Sequence, residues 1–137
     1  MPEEATVVSS VKTSYGIRMT VTGFVSLAEM AAGYKELKEL VAPLKSFAML
    51  VDKRTAKPYS PETSALVEEN MAWLTRNGLG RWVVMFADQI TALQTSRLTK
   101  KSGLAGTGRY VGGDDPDAER KALDWLLRAI EPDAVQA

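Results

Sequence analysis

Length, composition and charge place the chain among ordinary globular proteins. It has 137 residues, of which 45% are hydrophobic and 25% are charged, and such values are average for a folded domain. Lysine plus arginine equals aspartate plus glutamate, at 17 each, whereas nucleic-acid-binding proteins normally carry a basic excess. The length predicts a single domain over residues 1–137, with frayed ends at 1–4 and 132–137.

Two missing residue types narrow the possible chemistry. The chain has no cysteine and no histidine, which excludes disulfides, thiol nucleophiles, thiolate metal sites and the commonest general base. A site for Mg²⁺ or Ca²⁺ made of Asp and Glu oxygens is still possible on this composition. We nevertheless expect no metal and no cofactor. No apolar run approaches the ~20 residues of a membrane helix, and the N-terminus lacks the apolar core of a secretory signal. We expect no membrane span and a cytoplasmic location.

The N-terminal third predicts a β-hairpin followed by a helix. Residues 5–11 are rich in β-branched side chains, a turn signal follows at 14–16, and apolar and polar residues alternate across 17–22. Ser26 and Glu29 have the spacing of a capping box, and apolar residues then continue at helical spacing to 44.

Two short, almost unbroken apolar segments come next, at 47–51 and 82–87, and each ends at an aspartate, Asp52 and Asp88. Strands that are apolar at every position are buried on both faces, as in parallel sheets. The second helix lies between them; it begins with Ser60 as N-cap and stops at 77–78. Ligands gather at the carboxyl ends of such strands, so both aspartates mark a candidate edge.

The last part predicts two helices around a short strand. The third helix, at roughly 89–101, has a thin apolar face, and residues 109–111 form a strand near an edge of the sheet. The final helix begins at Asp115–Pro116. Its buried side is expected to consist of Ala122, Leu123, Leu126 and Ile130. The predicted order is ββαβαβαβα, an α/β fold.

This order resembles the STAS/SpoIIAA-like family, the anti-sigma-factor-antagonist fold. Residues 16–24 look like the family's second strand, 47–52 like its central strand, and 110–126 like the strand and Ala-x-x-Trp-Leu helix that close the SpoIIAA-like branch. The resemblance implies a mixed sheet of about five strands, with an N-terminal antiparallel hairpin followed by parallel strands, and four helices. It also implies a regulator that binds a protein partner.

Several members of the wider family are switched by phosphorylation at the start of the second helix, in an Asp-Ser-Ser-Gly-like turn. That pattern is absent here, and only Ser60, Thr63 and Ser64 could stand in as phosphoacceptors. Glu62 would repel an added phosphate and Pro61 changes the turn. A simple N-cap at Ser60 is the favoured interpretation.

Asp52, Arg54 and Asp88 form a candidate binding edge, which we expect to gather with Lys53 at the carboxyl ends of the strands. These residues could hold a polar ligand or a cation. The alternative is structural: both aspartates cap turns or helices and pair with Arg54 or Lys53. We favour that alternative.

The third helix supplies a candidate partner surface. Thr91 and Thr95 lie four residues apart, and Arg97 and Lys100 crowd the helix end. This ridge could contact a partner, although a solvated face, with basic residues complementing the helix dipole, is the favoured interpretation. Charge reversal at Arg97 and Lys100 should then weaken partner binding without affecting folding.

Three functional hypotheses follow. The first is a non-catalytic regulatory or interaction domain that binds a protein partner, such as another regulator or a kinase-like protein. The second is a domain of Sec14-like character that binds a small molecule or lipid, with the weakly covered third helix closing over a small apolar ligand. The third, an enzyme, would need Asp52 or Asp88 as acid or base. A homodimer through an edge strand is also compatible with the pattern.

Overall fold

The computed structural model describes residues 6–93, 95 and 106–132. They form a five-stranded sheet of order β1-β2-β3-β4-β5, in which β1 and β2 are antiparallel and the other neighbouring pairs are parallel. The strands are β1 (Val7–Thr13), β2 (Gly16–Gly23), β3 (Phe47–Ala56), β4 (Leu79–Phe86) and β5 (Gly108–Gly112). The helices are α1 (Leu27–Val41), α2 (Pro61–Arg76), α3, described as helical at 89–93 and 95, and α4 (Ala118–Arg128). The predicted order and α/β class are confirmed.

Local capping signals set the starts of the first two helices. The Ser26 hydroxyl accepts from the Glu29 amide at 3.1 Å while the Glu29 carboxylate accepts from the Ser26 amide at 3.0 Å, which completes the predicted capping box. Ser60 caps α2 through its hydroxyl, which accepts from the Thr63 amide at 3.2 Å. Pro61 occupies the first turn, where its missing N–H costs no hydrogen bond.

Helices cover both faces of the sheet. In β3, Met49 and Val51 pack with α1 and α2, while Leu50 packs with α4 on the opposite face. All three side chains are buried, which confirms β3 as a doubly covered central strand. On the α4 side, the indole N–H of Trp125 donates to the carbonyls of Trp82 and Thr107, each at 3.1 Å. These two hydrogen bonds hold α4 against the sheet.

Several predicted boundaries were wrong. β4 begins at Leu79 and not at residue 82. β3 does not close at Asp52 but runs to Ala56, because β2 is long enough to keep pairing with it as far as Gly23. The final helix begins at Ala118, not at Asp115. The Asp115 carboxylate instead accepts from the Asp117 amide at 2.8 Å, which holds a turn before the helix.

The end of α4 also differs from the prediction. Ala129 adopts the left-handed conformation, with φ of 57°, and its amide bonds to the Trp125 carbonyl. The chain leaves the helix before Ile130, which is therefore 44% exposed instead of buried. Within the described ranges, no helix combines the length and apolar character needed to cross a bilayer.

Candidate functional site

Asp52 lies inside β3, level with Thr20 of β2 and Met85 of β4. Its carboxylate accepts from the Arg54 amide at 3.1 Å, from Arg54 Nε at 3.0 Å and Nη2 at 2.9 Å, and from Arg18 Nη2 at 2.9 Å. Asp52 is therefore an anchor between strands and not a cap, which corrects the predicted capping role; the predicted pairing with Arg54 is present.

The same two arginines reach α4. Arg18 Nη1 lies 2.9 Å from Glu119 Oε1, and Arg54 Nη2 lies 3.7 Å from the same oxygen. Burial opposes ionisation of Asp52, but the hydrogen bonds from Arg54 and then Arg18 outweigh it, so the pKa of Asp52 is lowered. The result is a neutral network of two cations and two anions joining β2, β3 and α4.

Asp88 has a separate role. Its carboxylate accepts from the Thr91 amide at 2.7 Å, which makes it the cap of α3, as the structural interpretation predicted. Hydrogen bonds from Thr91 lower the pKa of Asp88. Asp52 and Asp88 have no hydrogen-bond partner in common, so the candidate binding edge is not assembled around a shared ligand position and stays a proposal.

The turn after β5 packs closely against the carboxyl edge. A Cβ added at Gly112 would lie 2.4 Å from the Gln89 backbone, and one added at Gly113 would lie 2.6 Å from Arg54 Cγ and from the Phe86 carbonyl oxygen. Only glycine permits this approach. This close packing brings β3, the start of α3 and the turn after β5 together at one edge of the sheet.

The three candidate phosphoacceptors have different environments. Thr63 is 1% exposed, and Ser60 is partly buried, with its hydroxyl 3.0 Å from Thr63 Oγ1. Ser64 is partly buried like Ser60, and its hydroxyl makes no hydrogen bond to the described residues. The geometry favours capping at Ser60 over phosphorylation, because the Ser60 hydroxyl is already bonded to Thr63.

Lys53 does not pair with either aspartate; of the two predicted partners, Arg54 or Lys53, Asp52 pairs with Arg54. Its side chain projects to the α1/α2 face of β3, with Nζ 4.0 Å from the Tyr59 ring centroid and 4.9 Å from that of Phe86. Burial without a carboxylate partner lowers its pKa to about 8. Strand alternation could have revealed this, because Lys53 shares the parity of the buried Val51.

α3 exposes the residues that were expected to pack. Ala92 is buried, whereas Ile90 is 69% exposed and Leu93 is 39% exposed. Thr91 is exposed, and the Thr95 hydroxyl donates to the Thr91 carbonyl at 2.9 Å. The other members of the predicted partner surface and apolar face, Arg97, Lys100 and Leu98, lie outside the described residues.

Further apolar side chains are exposed at the same edge of the sheet. Phe24, which directly follows β2, is 57% exposed, and Leu27 begins α1 with its side chain in solvent. We call Phe24, Leu27, Ile90 and Leu93 the carboxyl-edge apolar residues. Periodicity alone identified an apolar stripe on α3 but could not show that no described helix covers it.

A groove of about 520 Å³ lies on the outer surface between α1 and α2. Tyr34, Leu66 and Trp73 give it an apolar floor, and Lys38 Nζ stands 4.9 Å from the Trp73 ring. Its lining comes from α1 and α2, not from α3, so the idea that α3 closes over a pocket stays a prediction.

Comparisons with known proteins show the fold. No family model matches the sequence, and no curated protein matches it either. The structure is similar to the crystal structure of an uncharacterized protein of the DUF3478 family with a SpoIIAA-like fold, from Shewanella loihica PV-4. The TM-score is 0.63 at 14% identity, over 92% of this chain and 97% of that chain. The chain thus has a SpoIIAA-like, STAS-type fold, as the sequence resemblance predicted.

Proposed function

We propose that this chain is a non-catalytic regulatory or interaction domain that binds a protein partner at the carboxyl edge of its sheet, through α3 and the start of α2. One observation carries the proposal: Ile90, in the first turn of α3, is 69% exposed. Burying a side chain of this size contributes about 1.5–3 kcal/mol of free energy. Folding of this chain does not gain most of that free energy, because Ile90 stays largely exposed.

The surroundings of Ile90 support a protein as the partner. Leu93 lies one turn further along the helix, and Phe24 and Leu27 extend the apolar character along the same edge. The exposed, polar Thr91 borders this surface. An apolar centre with a polar rim is the usual composition of a protein interface.

The two candidate acids support a non-catalytic role. The Asp52 carboxylate is occupied by Arg54 and Arg18, and that of Asp88 by the first turn of α3. A general acid or base must be able to exchange its proton near neutral pH, whereas the pKa of each carboxyl is lowered.

The partner surface can be tested by affinity capture with matched variants. Ile90→Ser combined with Leu93→Ser should reduce recovery of the specific partner at least about tenfold, since more than 1.4 kcal/mol of apolar contact is lost. Leu127→Ser is the control, because Leu127 is 60% exposed on α4. Equal recovery with both variants would contradict the proposal.

The α1/α2 groove supports a second candidate function, the binding of a small apolar molecule. Native mass spectrometry of the purified protein should then show a bound mass that Trp73→Ala removes. A homodimer through the β1 edge, where Val7 and Val11 are exposed, also stays a proposal. Sedimentation of Val11→Lys against the unmodified protein tests it, because a dimer through this edge should dissociate.

A further inference from the structure

Lys53 is unusual among the described lysines in its surroundings. Its ammonium lies against two aromatic rings, those of Tyr59 and Phe86, and no carboxylate lies within ion-pair distance among the described residues. Lys121, by contrast, is paired with Asp115. Lys53 is nevertheless partly exposed.

The groups around Lys53 are uncharged near neutral pH. Tyr59 precedes α2, and burial raises its pKa well above the usual range. Tyr34 of α1 is buried behind it, and burial and Tyr59 raise its pKa too. From the sheet, β4 contributes Phe86, whose ring lies 5.5 Å from that of Tyr110 on β5. Nothing on these elements compensates the lysine charge.

We propose that Lys53 is the preferred site of N-acylation in this chain, with acyl phosphates and acyl thioesters as the donors. The neutral amine attacks the acyl carbonyl carbon and a C–N bond forms. The C–O or C–S bond to the leaving group breaks, so phosphate or thiolate departs with the electron pair. The amine proton passes to solvent, and no oxidant or reductant is needed.

The environment favours both the reaction and its product. Only the neutral amine is nucleophilic, and a lysine with the pKa of about 8 that burial gives Lys53 is roughly one-quarter neutral near pH 7.5, against ~0.1% for an ordinary lysine. The product amide carries no charge. It therefore removes the desolvation cost of holding an ammonium between two rings.

The proposal is independent of the proposed partner surface, because it concerns the chemistry of one amine and needs no partner. The test is trace labelling of the folded protein with acetyl phosphate, followed by peptide mass spectrometry. Near pH 7.5, Lys53 should be acetylated at least about tenfold faster than Lys121 or Lys38. The larger neutral fraction of Lys53 relative to an ordinary lysine would give a higher ratio, but its partial burial slows the reaction. The Lys53→Arg variant verifies the peptide assignment.

Two further measurements keep the result interpretable. The labelling rate at Lys53 should level off above about pH 8, and the preference for Lys53 should vanish in concentrated urea, where the aromatic surroundings are lost. The proposal is overturned if Lys53 reacts no faster than Lys121, if its rate still climbs towards pH 10, or if the preference survives unfolding.

Discussion

The carboxylate of Asp52 accepts a hydrogen bond from the guanidinium of Arg18 on the neighbouring strand, with 2.9 Å between Oδ2 and Nη2. Arg18 also holds Glu119 at 2.9 Å. A residue that was expected to close a strand thus joins β2 to β3 and, through the shared arginine, to α4. The network anchors the edge on which the proposed partner surface lies.

Asp52→Asn should lower the free energy of unfolding by about 2 kcal/mol at pH 7, because it leaves two partly buried arginines with only Glu119 as an anion among the described residues. Asp117→Asn is the control: it removes an exposed pair with Arg120 and should cost under about 0.5 kcal/mol. Urea denaturation measures both. Equal losses would show that the network adds no stability beyond a surface ion pair.

The same variant tests how the free energy of unfolding changes at acid pH. The folded-state pKa of Asp52 is lowered, so its contribution is present above the unfolded value near ~3.9 and is lost as pH falls through the folded value. The unmodified protein should therefore lose more stability than Asp52→Asn on acidification below about pH 4. Parallel curves for the two proteins would contradict this.

Lys53→Met should raise the free energy of unfolding by about 1 kcal/mol at pH 7, because it removes a desolvated charge with no carboxylate partner at the cost of two cation–π contacts. The folded-state pKa of about 8 lies below the unfolded value near ~10.4, so the unmodified protein should gain stability as pH rises from about 8.

Urea denaturation at pH 7 and pH 9 measures both effects of Lys53. The variant should lack the alkaline gain, and Lys38→Met, which alters a contact to Trp73 on the groove, should leave it intact. Above about pH 10 the raised pKa values of Tyr34 and Tyr59 act in the opposite direction, so the comparison ends at pH 9. A gain that persists in Lys53→Met would refute the assignment.

Ser60→Ala should destabilise the protein by about 1 kcal/mol, because the hydroxyl caps α2 through the Thr63 amide. Ser64→Ala is the matched control one turn later, where the hydroxyl bonds to no described residue, and it should change stability by less than about 0.5 kcal/mol. Thermal unfolding followed by circular dichroism distinguishes them; a reversed order would contradict the capping assignment.

Gly33→Ala should destabilise the protein although alanine favours helices. A Cβ at this position of α1 would lie 2.2 Å from Cγ1 of Val8 on β1, and valine has little rotamer freedom to withdraw. We expect a net loss of about 1–2 kcal/mol. In a double-mutant cycle, Val8→Ala should recover about 1 kcal/mol of it; additive losses would place the strain elsewhere.

Local signals made much of the fold predictable. The capping box at Ser26, the Ser60–Pro61 start and the apolar segment around Leu50 each encode structure over a few residues, and they predicted the correct order of elements. The end of β3 could not be predicted in this way, because the strand continues past Asp52 only as far as its neighbour β2 pairs with it.

The candidate site was less predictable because it depends on which elements are adjacent. The pairing of Asp52 with Arg18 joins residues 34 apart in sequence, and the exposure of Ile90 depends on no described helix covering α3. Lys53 is the exception. Its position two residues after Val51 placed it on the α1/α2 face, although it was interpreted as an edge residue.

The most direct test of the proposed partner surface is photo-crosslinking in the cells that make the protein. A benzoylphenylalanine placed at Leu93 should give one discrete adduct of higher mass, and adding Ile90→Asp should abolish it. The same probe at Leu127 of α4, which is more exposed than Leu93, should give none. Adducts of equal yield from both positions, or an adduct that persists with Ile90→Asp, would contradict a partner-binding edge at α3.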